Sequence, residues 1–74
     1  MFKFDFHGMD KRQLETKVDS IIGQVRIQGA IEHCEFITGE GPLKEHLKRY
    51  LKREYDLEYK EVHNSIGNLT VEIE

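Results

Sequence analysis

The sequence predicts an α+β fold, an α/β two-layer sandwich of order β-α-β-α-β-β with a mixed four-stranded sheet and both helices on one face. Three stretches carry that expectation. Phe2, Phe4 and Phe6 alternate with Lys3 and Asp5, the period-two pattern of a strand with one buried face. Two segments with apolar residues at helical spacing then flank a short apolar run at 32–37. Leu69, Val71 and Ile73 finally alternate with Thr70, Glu72 and Glu74, a half-buried closing strand.

The first strand ends at Asp5-Phe6-His7-Gly8, where Gly8 frees the backbone to turn. Asp10 and Gln13 have the spacing of a capping box, so a helix is expected over 10–28. Leu14, Val18, Ile21, Ile22 and Val25 form its apolar stripe, and Gly29 suits the position just past its end. Gly23 weakens that helix and points to close packing or a loosened end. Glu32 to Ile37 reads as the second strand. Pro42 takes a first-turn position in a second helix expected to end near Glu54, with Leu43, Leu47, Tyr50 and Leu51 as its apolar stripe. A third strand is expected at about 57–62, with turn chemistry between His63 and Asn68 before the last strand.

The 74 residues suit one domain, 1–74, with a small core, since a chain this short buries only about 60% of its unfolded surface. Hydrophobic content of 38% is too high for a disordered tail, and no apolar run reaches the length of a membrane span. The single Cys34 excludes an internal disulfide, fits a cytoplasmic setting, and lies in an apolar run as a buried thiol would. The net charge of −3 is unevenly spread. Between Pro42 and Arg53 the local balance is +4, leaving −7 for the rest, so one basic helix stands on an acidic body.

If the first two strands are parallel neighbours, His7 and Gly8 lie beside the loop Thr38-Gly39-Glu40-Gly41, at the sheet edge where open α/β sheets bind ligands. Two glycines ahead of a helix N-terminus offer backbone N–H groups and a dipole suited to phosphate. Glu40 opposes that use unless it points outward. Lys44, Lys48 and Lys52 recur every four residues with Arg49 beside them, a stripe able to follow a phosphate backbone. His33, His46 and His63 show no metal-ligand spacing and are expected at the surface or an edge. Tyr50, Tyr55 and Tyr59 fit packing better than base stacking.

Together these stretches look like a known family. Phe4-Asp5-Phe6-His7-Gly8-Met9 resembles the Leu-Asp-Leu-His-Gly motif that opens the Smr (small MutS-related) domain. Phe36-Ile37-Thr38-Gly39-Glu40-Gly41 is similar to that family's second motif, Thr-Gly-x-Gly or His-Gly-x-Gly. Gly67 with Leu69-Thr70-Val71-Glu72-Ile73 is similar to its closing Gly-x-Thr-Val-x-x-Leu strand. Here Pro42 follows the glycine loop directly, and Lys44 stands where relatives carry an arginine. The resemblance implies a two-layer fold and nicking or cleavage of DNA or RNA, with Asp5 and His7 as the catalytic pair. It also implies phosphate contacts at Gly8, Thr38, Gly39, Gly41 and Lys44, which Lys48, Arg49 and Lys52 would extend. A divalent cation such as Mg2+ is compatible with Asp5. The expected partner is DNA or RNA, bound by a monomer without a membrane. The alternative is an inactive adaptor that binds nucleic acid, a ribosome or another protein partner.

Overall fold

The structure, a computed structural model, describes residues 2–29, 31–39, 41–62 and 67–74. Its elements in chain order are β1 (Phe2–Asp5), α1 (Lys11–Gln28), β2 (Glu32–Ile37), α2 (Pro42–Tyr55), β3 (Tyr59–Glu61) and β4 (Asn68–Ile73). The α+β order is the expected one, and the four strands form one mixed sheet.

Local chemistry starts and stops the helices as the sequence indicates. The Asp10 carboxylate accepts the Gln13 N–H at 2.8 Å, while the Gln13 side chain accepts the Asp10 N–H at 3.0 Å, so both halves of the capping box form. Gly29 closes α1 in the left-handed region at φ 69°. Gly23 lies inside this helix, and a Cβ there meets nothing within 4 Å. Neither close packing nor a helix end explains it, because the helix runs on to Gln28. α2 starts on Pro42 and ends at Tyr55, with Asp56 in the left-handed region at φ 53°.

Strand order is β1-β2-β4-β3. β1 runs parallel to β2, and β4 lies antiparallel to both β2 and β3. β4 therefore inserts between β2 and β3, so the second crossover links parallel strands that are not neighbours. The register fixes which side chains share a face. Phe4 pairs with Phe36, Phe36 with Leu69, and Glu61 with Leu69, so these four project from one side of the sheet. The same side carries Cys34 and Val71, buried with Leu14, Val18, Ile22 and Val25 of α1 and Leu47, Tyr50 and Leu51 of α2 in one cluster. Phe36 anchors it, with ring centroids 5.2 Å from Phe6 and 6.0 Å from Phe4. Cys34 is fully buried, and desolvation raises its thiol pKa, as expected of an inert thiol. No helix among the described residues is long and apolar enough to cross a membrane.

Candidate nucleic-acid interface

Because β1, β2 and β3 share one direction, their C-terminal ends and the start of β4 meet at one end of the sheet. This end gathers Asp5 with His7, Thr38 with Gly39, Gly41, Glu61 and Gly67. The stitching is backbone chemistry. The Phe6 N–H donates to the Ile37 carbonyl at 2.8 Å, which prolongs the β1–β2 ladder and seats the first loop beside the second. The Thr38 N–H donates to the Gly67 carbonyl at 3.0 Å, and the buried Thr38 hydroxyl donates to the same oxygen at 2.8 Å. Thr38 therefore works as a clamp between loops, with its hydroxyl committed inward.

The first loop is a four-residue turn, closed by the Met9 N–H on the Phe6 carbonyl at 3.1 Å. Gly8 occupies its third position at φ 81°, where a glycine avoids the Cβ penalty. The Asp5 carboxylate accepts the backbone N–H of His7 at 2.8 Å. Asp5 thus fixes the backbone of His7, while the imidazole is exposed and has no hydrogen-bond or ion-pair partner among the described residues. The Lys17 ammonium reaches the Asp5 carbonyl at 3.1 Å and lies 5.0 Å from the Phe6 ring centroid, bracing the turn from α1.

In the second loop, Gly39 (φ 74°) and Gly41 (φ 117°) both hold backbone conformations that side chains resist. Gly41 is the N-cap of α2 and offers no side-chain acceptor, so the first-turn N–H groups have no capping oxygen from it. Gly67 explains how this loop is shaped. A Cβ on Gly67 would overlap the backbone of Gly39, so only a glycine lets the two segments come this close. The closing motif of the sequence contains this glycine, but only the fold shows what it touches.

The basic stripe of α2 lies along β3 and meets acids there. Lys44 is buried, with its ammonium on the Glu61 carboxylate, and Lys48 lies 3.6 Å from the same oxygen and 3.8 Å from Glu45. Lys52 pairs with Glu58 at 3.0 Å and Asp56 at 3.2 Å. Arg49 is exposed, with no ion-pair partner among the described residues. Lys44, then Lys48, holds the Glu61 carboxyl below the usual carboxylate range. Sequence reasoning did not single out Glu61. The signal was present, because an acid follows Leu57 and Tyr59 at the next inward position of the third strand.

The remaining candidates sort out plainly. His46 is not a surface residue. It is half-buried between the helices, bonded to Glu15 at 2.7 Å and stacked on Tyr50 with centroids 6.1 Å apart. The Tyr50 and Tyr55 hydroxyls both donate to Asp19, which places these rings in the helix–helix seam. His33 is exposed on β2, 4.0 Å from Glu72. Glu40 and His63 lie outside the described residues. Among the described residues no three His, Cys, Asp or Glu side chains converge as a metal site would require.

The architecture defines a class, a two-layer α/β domain whose parallel strands deliver a histidine turn and a glycine turn to one sheet end. Its particular fold is that of the Smr domain. The structure is similar to the crystal structure of the Smr domain of Thermus thermophilus MutS2, with a TM-score of 0.83 over 100% of this chain and 99% of that one, at 16% sequence identity. By sequence, no protein-family model and no curated protein matches the chain.

Proposed function

We propose that this chain binds nucleic acid at the loop end of its sheet and cleaves a phosphodiester bond there, with His7 as the proton-transfer group. The reading is supported above all by the Phe6–Ile37 hydrogen bond, which seats the His7 turn beside the glycine turn that leads into α2. Imidazole suits both removal of a proton from an attacking hydroxyl and its return to a leaving oxygen near neutral pH. Asp5 acts as a positioning residue through the His7 backbone. The N–H groups at Gly39 and Gly41 and in the first turn of α2 would take the scissile phosphate and its developing charge. Arg49, with Lys48 and Lys52, would follow the flanking backbone without reading sequence. Among the described residues Asp5 belongs to no group of three or more His, Cys, Asp or Glu side chains that could hold a divalent cation.

The test is cleavage of nicked plasmid and of single-stranded RNA by the wild type and by His7→Ala, beside a gel shift on the same substrates. Loss of products with retained retardation and an unchanged circular dichroism spectrum supports the assignment. Cleavage that survives His7→Ala refutes it. The competing reading is an adaptor that binds without chemistry, favoured by the carboxylates already paired with Lys44, Lys48 and Lys52. Retardation by the wild type with no products on any substrate selects that reading.

A further inference from the structure

We infer that Glu61 is a built-in counter-anion of the nucleic-acid surface, occupying Lys44 and Lys48 until a phosphate of a polynucleotide strand displaces it. The inference rests on the nucleic-acid reading above and names what selects the ligand. Glu61 ends β3, which runs parallel to β1 and β2 in direction, so it stands at the same sheet end as His7 and the glycine turn. Its pairing with Leu69 turns it to the helix side of the sheet, toward α2. There one carboxylate oxygen serves both the Lys44 and the Lys48 ammonium groups. The three partners differ in access. The side chains of Lys44 and Lys48 are 9% and 19% exposed, whereas that of Glu61 is 57% exposed. The cations are therefore held by the fold, and the anion is the partner that solvent or a ligand can replace.

A selectivity follows from the charges. Glu61, helped by Glu45 on Lys48, nearly neutralises the lysine pair, so a single phosphate gains little by exchanging one anion for another. A strand that also engages Arg49 and the loop N–H groups gains contacts Glu61 cannot make. The cluster should therefore discriminate an oligonucleotide from a mononucleotide by the number of phosphates engaged together.

The experiment measures a fluorescent single-stranded oligonucleotide and a mononucleotide against the wild type, Glu61→Gln, Glu61→Asp and Glu72→Gln, across a salt series. Glu72 lies near the far end of β4, so its variant makes the same charge change away from the lysines. Expected are oligonucleotide binding about two- to fivefold tighter for Glu61→Gln, on the scale of one exposed ion pair, and a salt slope steeper by about 0.7, the increment for one further phosphate contact on a single strand. Glu61→Asp and Glu72→Gln should follow the wild type. Equal affinity and slope in Glu61→Gln, or an equal gain in Glu72→Gln, overturns the inference while wild-type binding leaves the nucleic-acid reading standing. Absence of binding by every protein overturns both. A readout without mutation is the NMR titration of the Glu61 carboxyl carbon. Its midpoint should rise toward that of ordinary glutamates when the oligonucleotide is bound, and a midpoint that stays low refutes displacement.

Discussion

Replacing Gly67 with alanine tests how the site is held together. Gly67 is buried at φ 85°, and its carbonyl takes both the N–H and the hydroxyl of Thr38. An alanine in the left-handed region costs about 1–2 kcal/mol. The new Cβ would also overlap the Gly39 backbone, and relieving such crowding costs about 1–3 kcal/mol. The sum, about 2–5 kcal/mol, is a large part of the roughly 4–11 kcal/mol expected for a domain this size. At about 4–8 °C per kcal/mol, the melting temperature should fall by at least about 8 °C. Gly23→Ala is the internal comparison, because the same methyl enters open space in mid-helix and should stabilise by about 0.5–1 kcal/mol. Urea unfolding followed by circular dichroism reads both, and hydrogen exchange at the Thr38 amide localises the Gly67 effect. If Gly67→Ala unfolds within about 0.5 kcal/mol of the wild type, the argument from backbone approach is wrong.

Other outcomes follow from single groups. Asp10→Ala removes half of the capping box and should cost about 1 kcal/mol in thermal unfolding. Glu61 has a folded pKa below its unfolded value, so its contribution is complete above the unfolded pKa and is lost as pH falls through the folded one. Stability should therefore decline on acidification below the usual glutamate range, and Glu61→Gln should flatten that part of the profile. Burial first, then its bond to Asp19, pushes the Tyr55 hydroxyl up to about 12, and the same causes raise Tyr50. Asp19→Asn should bring both down in an ultraviolet titration without restoring ordinary values, because burial remains; unchanged values would exclude Asp19 as a cause.

What could be read without the fold was local. The capping box at Asp10 and Gln13 and the apolar stripe of α1 depend on residues within a few positions of one another, so hydrogen bonding and helical period suffice. The alternation in β4 marks a buried face for the same reason, whereas the one at the first strand holds only in part: Phe6 is buried and Phe4 half-buried, but Phe2 at the chain start is 54% exposed. Placing His7 beside the glycine turn needed one further premise, that β1 and β2 are parallel neighbours, which their pairing satisfies. The contacts left unread join distant positions. His46 meets Glu15, Lys44 meets Glu61, and Gly39 packs on Gly67.

By itself, then, the sequence determined the elements, their inward faces and the chemistry of the two turns, because each is set by neighbours along the chain. Only the tertiary structure decided that β4 enters between β2 and β3, and that Thr38 spends its hydroxyl on a neighbouring loop. It also decided that the basic stripe of α2 comes to rest on carboxylates. Alternation shows which apolar face a strand turns inward, but not that the charged Lys44 is buried with it. Strand order decides which groups meet, and that order is settled by packing the whole core at once.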